Sequence, residues 1–105
     1  MLFDLLTVKE HLQLVCDIKN IPHNQIDQTI NETIDIVMLK EFRDKRVKEL
    51  SGGMKRKLSL AMAIVTKPKV IILDEPTSGL DVQSRRQVWE LIKRIKYGRS
   101  VIMSS

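Results

Sequence analysis

The chain has 105 residues, 43% apolar and 30% charged, with a formal net charge of +5. That bounds it to one small domain of ordinary globular composition, and its longest apolar run, Leu58 to Val65, is broken by Ser59 and falls well short of the roughly 20 residues of a membrane span. The amino terminus lacks the basic head and apolar centre of a signal peptide, and the single Cys16, with neither His11 nor His23 at ligand spacing, excludes an internal disulfide and argues against zinc. A cytosolic face is the natural setting; the positive charge admits a phosphate or nucleic-acid partner, although a solvated basic surface is the plainer reading.

In chain order, Thr7 followed by Glu10 has the spacing of a capping box, and Leu12, Leu14 and Val15 support a helix over about residues 7–18. Pro22 punctuates. From Asn24, the residues Ile26, Ile30, Ile34, Val37 and Met38 recur at helical steps and predict one apolar face. A charged connector, 40–49, leads to a third helix capped by Ser51 and expected to run to about Thr66, with Pro68 closing it. Val70 to Leu73 is a short β-branched run of the kind buried on both faces of a parallel sheet. Asp81 caps a fourth helix whose core face would carry Val88, Trp89, Ile92 and Ile95; Gly98 would end it, and 100–104 reads as a second strand. Strand, crossover helix and strand make a parallel unit, so the fold class is α/β with a helical segment ahead of it.

Two stretches carry chemistry. "LSGGM" starts the third helix on a glycine pair, Gly52 and Gly53, although each glycine costs roughly 1 kcal/mol of helix propensity relative to alanine. A helix start offers unpaired N–H groups and about half a positive charge, hence an anion site. Bare glycines would let a phosphate approach the backbone, Ser51 would add a hydroxyl, and Lys55, Arg56 and Lys57 would strengthen the field; the plainer alternative is that the glycines only pack closely. In the second stretch, "DEPTSGLD", Asp74 and Glu75 sit at the carboxyl end of the first strand, where α/β sheets bind ligands. Successive strand residues point to opposite sides, so one carboxylate can hold Mg²⁺ through water while the other orients a nucleophilic water. An acidic turn before Pro76 is the plainer reading.

"LSGGM", "VIILDEP" and "SGLD", in that order, resemble the signature motif, Walker B segment and D-loop of an ATP-binding cassette (ABC) ATPase. The likeness extends over nearly the whole chain, and "FDLLTVKEHL", "LSGGMKRKLS" and "SRRQVWELI" most resemble the A subfamily of ABC transporters. The resemblance implies a partial P-loop-NTPase-type parallel sheet unit preceded by an α-helical subdomain. Residues 1–66 would form the helical subdomain and signature helix, and 67–105 the Walker B strand, D-loop, helix and following strand. It further implies that Ser51, Gly52 and Gly53 face the γ-phosphate of ATP held by the opposite cassette of a head-to-tail pair, that Asp74 supports Mg²⁺, that Glu75 is the general base, and that Asp81 couples the cassettes.

Of the four glycines, Gly52, Gly53, Gly79 and Gly98, none is followed by lysine, so the chain holds no phosphate-cradling P-loop. The aromatic A-loop and the Q-loop glutamine would lie ahead of it and the switch histidine at or beyond Ser105, so the expectation is the middle of a cassette, inactive by itself. The implied function is Mg-ATP hydrolysis coupled to transport, with lipid as the subfamily's cargo. The implied partners are a second cassette and transmembrane domains, which would hold the cassette on the cytosolic side of a membrane. Two alternatives remain: a ribosome- or nucleic-acid-associated ABC ATPase, for which no heptads or basic linker are visible, and a non-enzymatic fragment that completes a partner's ATP site. No nucleic acid is expected.

Overall fold

The computed structural model describes residues 2–96 and 99–104, so the expected stop at Gly98 lies outside the described residues. Along them run α1 (Val8–Ile18), α2 (His23–Ile36), α3 (Gly52–Ile64), β1 (Val70–Asp74), α4 (Val82–Ile95) and β2 (Ser100–Ser104), with single 3-10 turns at Lys40–Phe42 and Val47–Glu49. The capping box at α1 is complete: Thr7 Oγ1 accepts the Glu10 N–H at 3.1 Å, and Glu10 Oε1 accepts the Thr7 N–H at 2.8 Å. Ser51 and Asp81 cap α3 and α4 as expected. α2 has no side-chain cap and begins directly after Pro22, whose ring pre-sets φ near the helical value.

Both early helices end by turning left-handed. Asn20 (φ 58°) and Met38 (φ 60°) follow α1 and α2, and the next amides, Ile21 and Leu39, reach back to the carbonyls of Cys16 and Ile34 at 3.0 Å each. Met38 thereby leaves the apolar stripe to which its spacing assigned it and is exposed; Leu39 is buried instead. α3 stops at Ile64, short of Thr66, because Pro68 disfavours the right-handed helical region at the preceding residue, and Lys67 adopts φ 56°.

α3 packs against α4, and α1 against both α2 and α3. One core results, with Leu12, Cys16, Ile30, Leu58, Ala61, Val88 and Ile92 all buried in it. β1 and β2 pair in parallel with Ile71 opposite Val101 and Ile72 opposite Ile102, so the α/β unit with its leading helical segment is borne out. Burial on both faces of β1 is not. Ile71 and Leu73 enter the core, whereas Val70, Ile72 (76% exposed) and Ile102 face outward. Strand side chains alternate, and among the described residues the core covers only one of the two faces. Trp89 also departs from expectation: it is exposed, at 37%, and Leu91 is buried on α4 instead.

The first residues run beside the lead-in to α3. Val8 donates its N–H to the Lys45 carbonyl at 3.1 Å, and the Val47 and Lys48 amides donate to Leu6 and Asp4 at 2.9 and 3.1 Å. His11, fully buried, holds the start of this segment: Nε2 accepts the Phe3 N–H at 2.8 Å while Nδ1 donates to the Thr7 carbonyl at 2.9 Å, an assigned tautomer that satisfies both ring nitrogens. The connector that sequence reads as a charged loop is therefore tied down on its way to Ser51.

Candidate functional site

The start of α3 is built so that its first turn is open on one side and closed on the other. Ser51 is extended (φ −67°, ψ 166°), and its Oγ accepts the Met54 N–H at 3.2 Å. The first bond along the helix axis runs from the Lys55 N–H to the Ser51 carbonyl at 2.9 Å, so the amides of Gly52 and Gly53 have no acceptor within the helix. Gly52 is exposed, and a Cβ there would meet nothing closer than Leu80 Cδ2 at 3.9 Å. Gly53 is buried, and its Cβ would lie 2.8 Å from Ser84 Oγ and 3.0 Å from Ser84 Cβ. The two glycines thus have separate reasons. Gly53 lets α3 abut the first turn of α4, and Gly52 leaves backbone accessible from outside.

Beyond β1 the chain makes two successive turns, the Ser78 N–H donating to the Glu75 carbonyl at 3.1 Å and the Leu80 N–H to the Thr77 carbonyl at 3.3 Å. Glu75 takes φ 43°, a left-handed conformation that L-residues with a Cβ adopt at a cost of roughly 1–2 kcal/mol. Gly79 has φ 79° with no heavy atom within 4 Å of where a Cβ would stand, so backbone conformation alone calls for glycine there. Asp74 and Glu75 are both exposed at the carboxyl end of β1 while Pro76 beside them is buried. Asp81 Oδ1 accepts the Ser84 N–H at 2.7 Å; that bond, and next the Ser84 hydroxyl, hold the carboxyl below its ordinary range.

Ser84 therefore touches both stretches that the sequence singled out: it caps with Asp81 and abuts Gly53. Arg56 also joins them. Its Nη1 donates to the Glu75 carbonyl at 3.3 Å and its Nη2 to the Ser78 carbonyl at 2.7 Å. Gly52, Lys55, Arg56 and Ser59 line one wall of a groove of about 410 Å³ whose other wall includes Ser78, Gly79 and Leu80. Neither Ser84 nor the specific work of Arg56 is legible in the sequence. The available signal was the step from Gly52 to Arg56 and Ser59, which puts all three on one helix face.

The donor set suits a hard cation held largely through water. Among the described residues no group of three or more His, Cys, Asp or Glu side chains gathers to hold a metal, and Asp74 offers a single exposed carboxylate at the strand end. Mg²⁺ usually keeps several waters and uses one or two carboxylates together with substrate phosphates, so this arrangement fits it as one part of a larger shell.

A family model described as "ABC transporter" matches residues 1–78. The phospholipid-transporting ATPase ABCA3 of Mus musculus is 43% identical over 104 residues, which cover 99% of this chain and 6% of that protein. The cholesterol transporter ABCA5 of Homo sapiens is 44% identical over 103 residues, covering 98% of this chain and 6% of the relative. ATP-binding cassette sub-family A member 2 of Homo sapiens is 44% identical over 104 residues, covering 99% of this chain and 4% of the relative.

Proposed function

The chain belongs to the ABC transporter family, and on that premise we propose that it is the central part of a cassette that hydrolyses Mg-ATP to drive transport across a membrane. The observation that carries this reading is one juxtaposition. An open-sided helix start, with accessible backbone at Gly52, shares a groove with the turn that follows the Asp74–Glu75 carboxylates. The first suits a phosphate and the second the water that attacks it.

In this reading Ser51 and Gly52 meet the γ-phosphate of a nucleotide held by the opposite cassette, with Gly53 setting the helix start in place against Ser84. Asp74 holds Mg²⁺ through water; that ion, when bound, offsets charge on the phosphates. Glu75 accepts the proton of the attacking water on a carboxylate oxygen, and Asp81 links the cassettes from the head of α4. Residues 1–66 act as the helical subdomain and 67–105 as the Walker B and D-loop part. The four glycines include none followed by lysine, so the 105 residues alone should show no Mg-ATP binding by calorimetry. No described helix is long and apolar enough to cross a membrane; transmembrane domains and a second cassette are the proposed partners, with the cassette on the cytosolic side. Lipid is the proposed cargo, supported by the likeness to relatives named for phospholipid and cholesterol transport.

The test uses a full-length transporter carrying this segment and a P-loop in each cassette, read by ATP-dependent crosslinking of the cassettes and by hydrolysis. Gly52→Asp sets a carboxylate against the triphosphate; two like charges about 4 Å apart repel by about 4 kcal/mol at an effective dielectric of 20, a slowing of about a thousandfold. That variant fails to close, whereas Glu75→Gln closes and does not reopen, because its water is no longer activated. Normal closure and hydrolysis by Gly52→Asp would remove the phosphate role from the helix start.

A further inference from the structure

Arg56 is one helical turn beyond Gly52, and its guanidinium goes to two main-chain carbonyls of a single turn, Glu75 at 3.3 Å and Ser78 at 2.7 Å. The Glu75 carbonyl thereby accepts twice, from Arg56 and from the Ser78 amide at 3.1 Å. The residue so held is the one with the left-handed backbone, φ 43°. A left-handed residue other than glycine persists only where its surroundings over-determine it, and a planar guanidinium can span two carbonyls where an ammonium serves as a single point.

We propose that Arg56 is a positioning residue for the Glu75 carboxylate: a strap from α3 that holds the turn after β1, so that the geometry of the base depends on the helix whose own start meets the opposite nucleotide. The inference rests on the reading of Glu75 given above. It adds a physical link within one cassette between the two places at which that cassette touches nucleotide. It also gives the lysine- and arginine-bearing turn of the signature helix a duty other than supplying field. Lys55 and Lys57 are free to contribute charge, while the donors of Arg56 are committed to the turn.

The experiment compares Arg56→Ala, Arg56→Lys and Glu75→Gln in the full-length transporter, with Arg86→Ala, an exposed arginine of α4, controlling for lost charge. Hydrogen exchange in the nucleotide-free protein is expected to quicken on the peptide covering 74–80 in Arg56→Ala and to stay unchanged over 85–95. In turnover, kcat for ATP falls by about ten- to a hundredfold with KM within about twofold, the loss expected from a misplaced catalytic group. Arg56→Lys recovers part of both, and it carries the test if the alanine variant does not fold. Unchanged exchange at 74–80, exchange rising equally across α4, or a raised KM with wild-type kcat would each overturn the strap. Glu75→Gln separates the two readings: if it still hydrolyses ATP, Glu75 is not the base, whatever the exchange at the turn; if it is inactive while Arg56→Ala turns over normally, only the strap fails.

Discussion

The starts of α3 and α4 pack against each other and treat the same electrostatic problem in opposite ways. Each leaves N–H groups without helical acceptors and a partial positive charge at its head. At α4 the chain supplies its own anion: the Asp81 carboxylate takes the Ser84 N–H at 2.7 Å. At α3 the cap is the neutral hydroxyl of Ser51, no acidic residue lies in the first turn, and Lys55, Arg56 and Lys57 follow. One helix head has its field answered by a carboxylate of its own chain, and the other has only a neutral cap. The same division splits the glycine pair, Gly53 serving the internal contact and Gly52 the open side.

The largest expected effect on stability breaks the contact between the two heads. Gly53→Ala drives a methyl to 2.8 Å from Ser84 Oγ, and overpacking of this kind costs about 1–3 kcal/mol, read as a lowered urea midpoint of the dilute chain. Restoring stability with the double variant Gly53→Ala, Ser84→Gly would tie the loss to that contact; additive losses would refute it.

Next come the caps, which the comparison predicts to differ in pH dependence more than in size. Ser51→Ala removes a neutral acceptor and is expected to lower stability by about 1 kcal/mol equally at pH 7 and pH 3. Asp81→Asn removes a charge whose folded-state pKa is depressed below the ordinary 3.8, by the Ser84 N–H first and its hydroxyl second. A depressed carboxylate stabilises the fold above its unfolded pKa, and the contribution disappears as pH falls through the folded value. The gap between wild type and Asp81→Asn is therefore present at pH 7 and closes below about pH 3.8, while the Glu10 box, also depressed through Thr7, is common to both proteins and cancels. A gap that persists undiminished at pH 2.5 would show that Asp81 stabilises through shape alone.

The smallest stability effect sharpens the comparison from the other side. Gly52→Ala meets only Leu80 Cδ2 at 3.9 Å and gains helix propensity, so its unfolding midpoint should equal or slightly exceed that of the wild type, by less than about 1 kcal/mol. If Gly52→Ala destabilises the chain as much as Gly53→Ala, the open side of the helix start is not open.

Most of what the residues determine here is local. A hydroxyl or carboxylate with an amide three residues on makes a cap wherever it occurs, so Thr7, Ser51 and Asp81 announce their helices in the bare sequence, as does the strand with Asp74 and Glu75 at its end. Three linked motifs likewise pointed to the family. Other features depend on chain that lies far off in sequence. Gly53 needs Ser84, 31 residues on, to acquire its reason; Arg56 reaches carbonyls 19 and 22 residues away; and His11 satisfies both ring nitrogens only because Phe3 folds back over it. The exposure of Ile72 and Trp89 has the same origin, since apolar spacing says which side chains share a face and nothing about whether another element covers that face. Hydrogen-bond spacing along the chain is written into the residues themselves, whereas packing is a property of pairs that only the closed fold brings together.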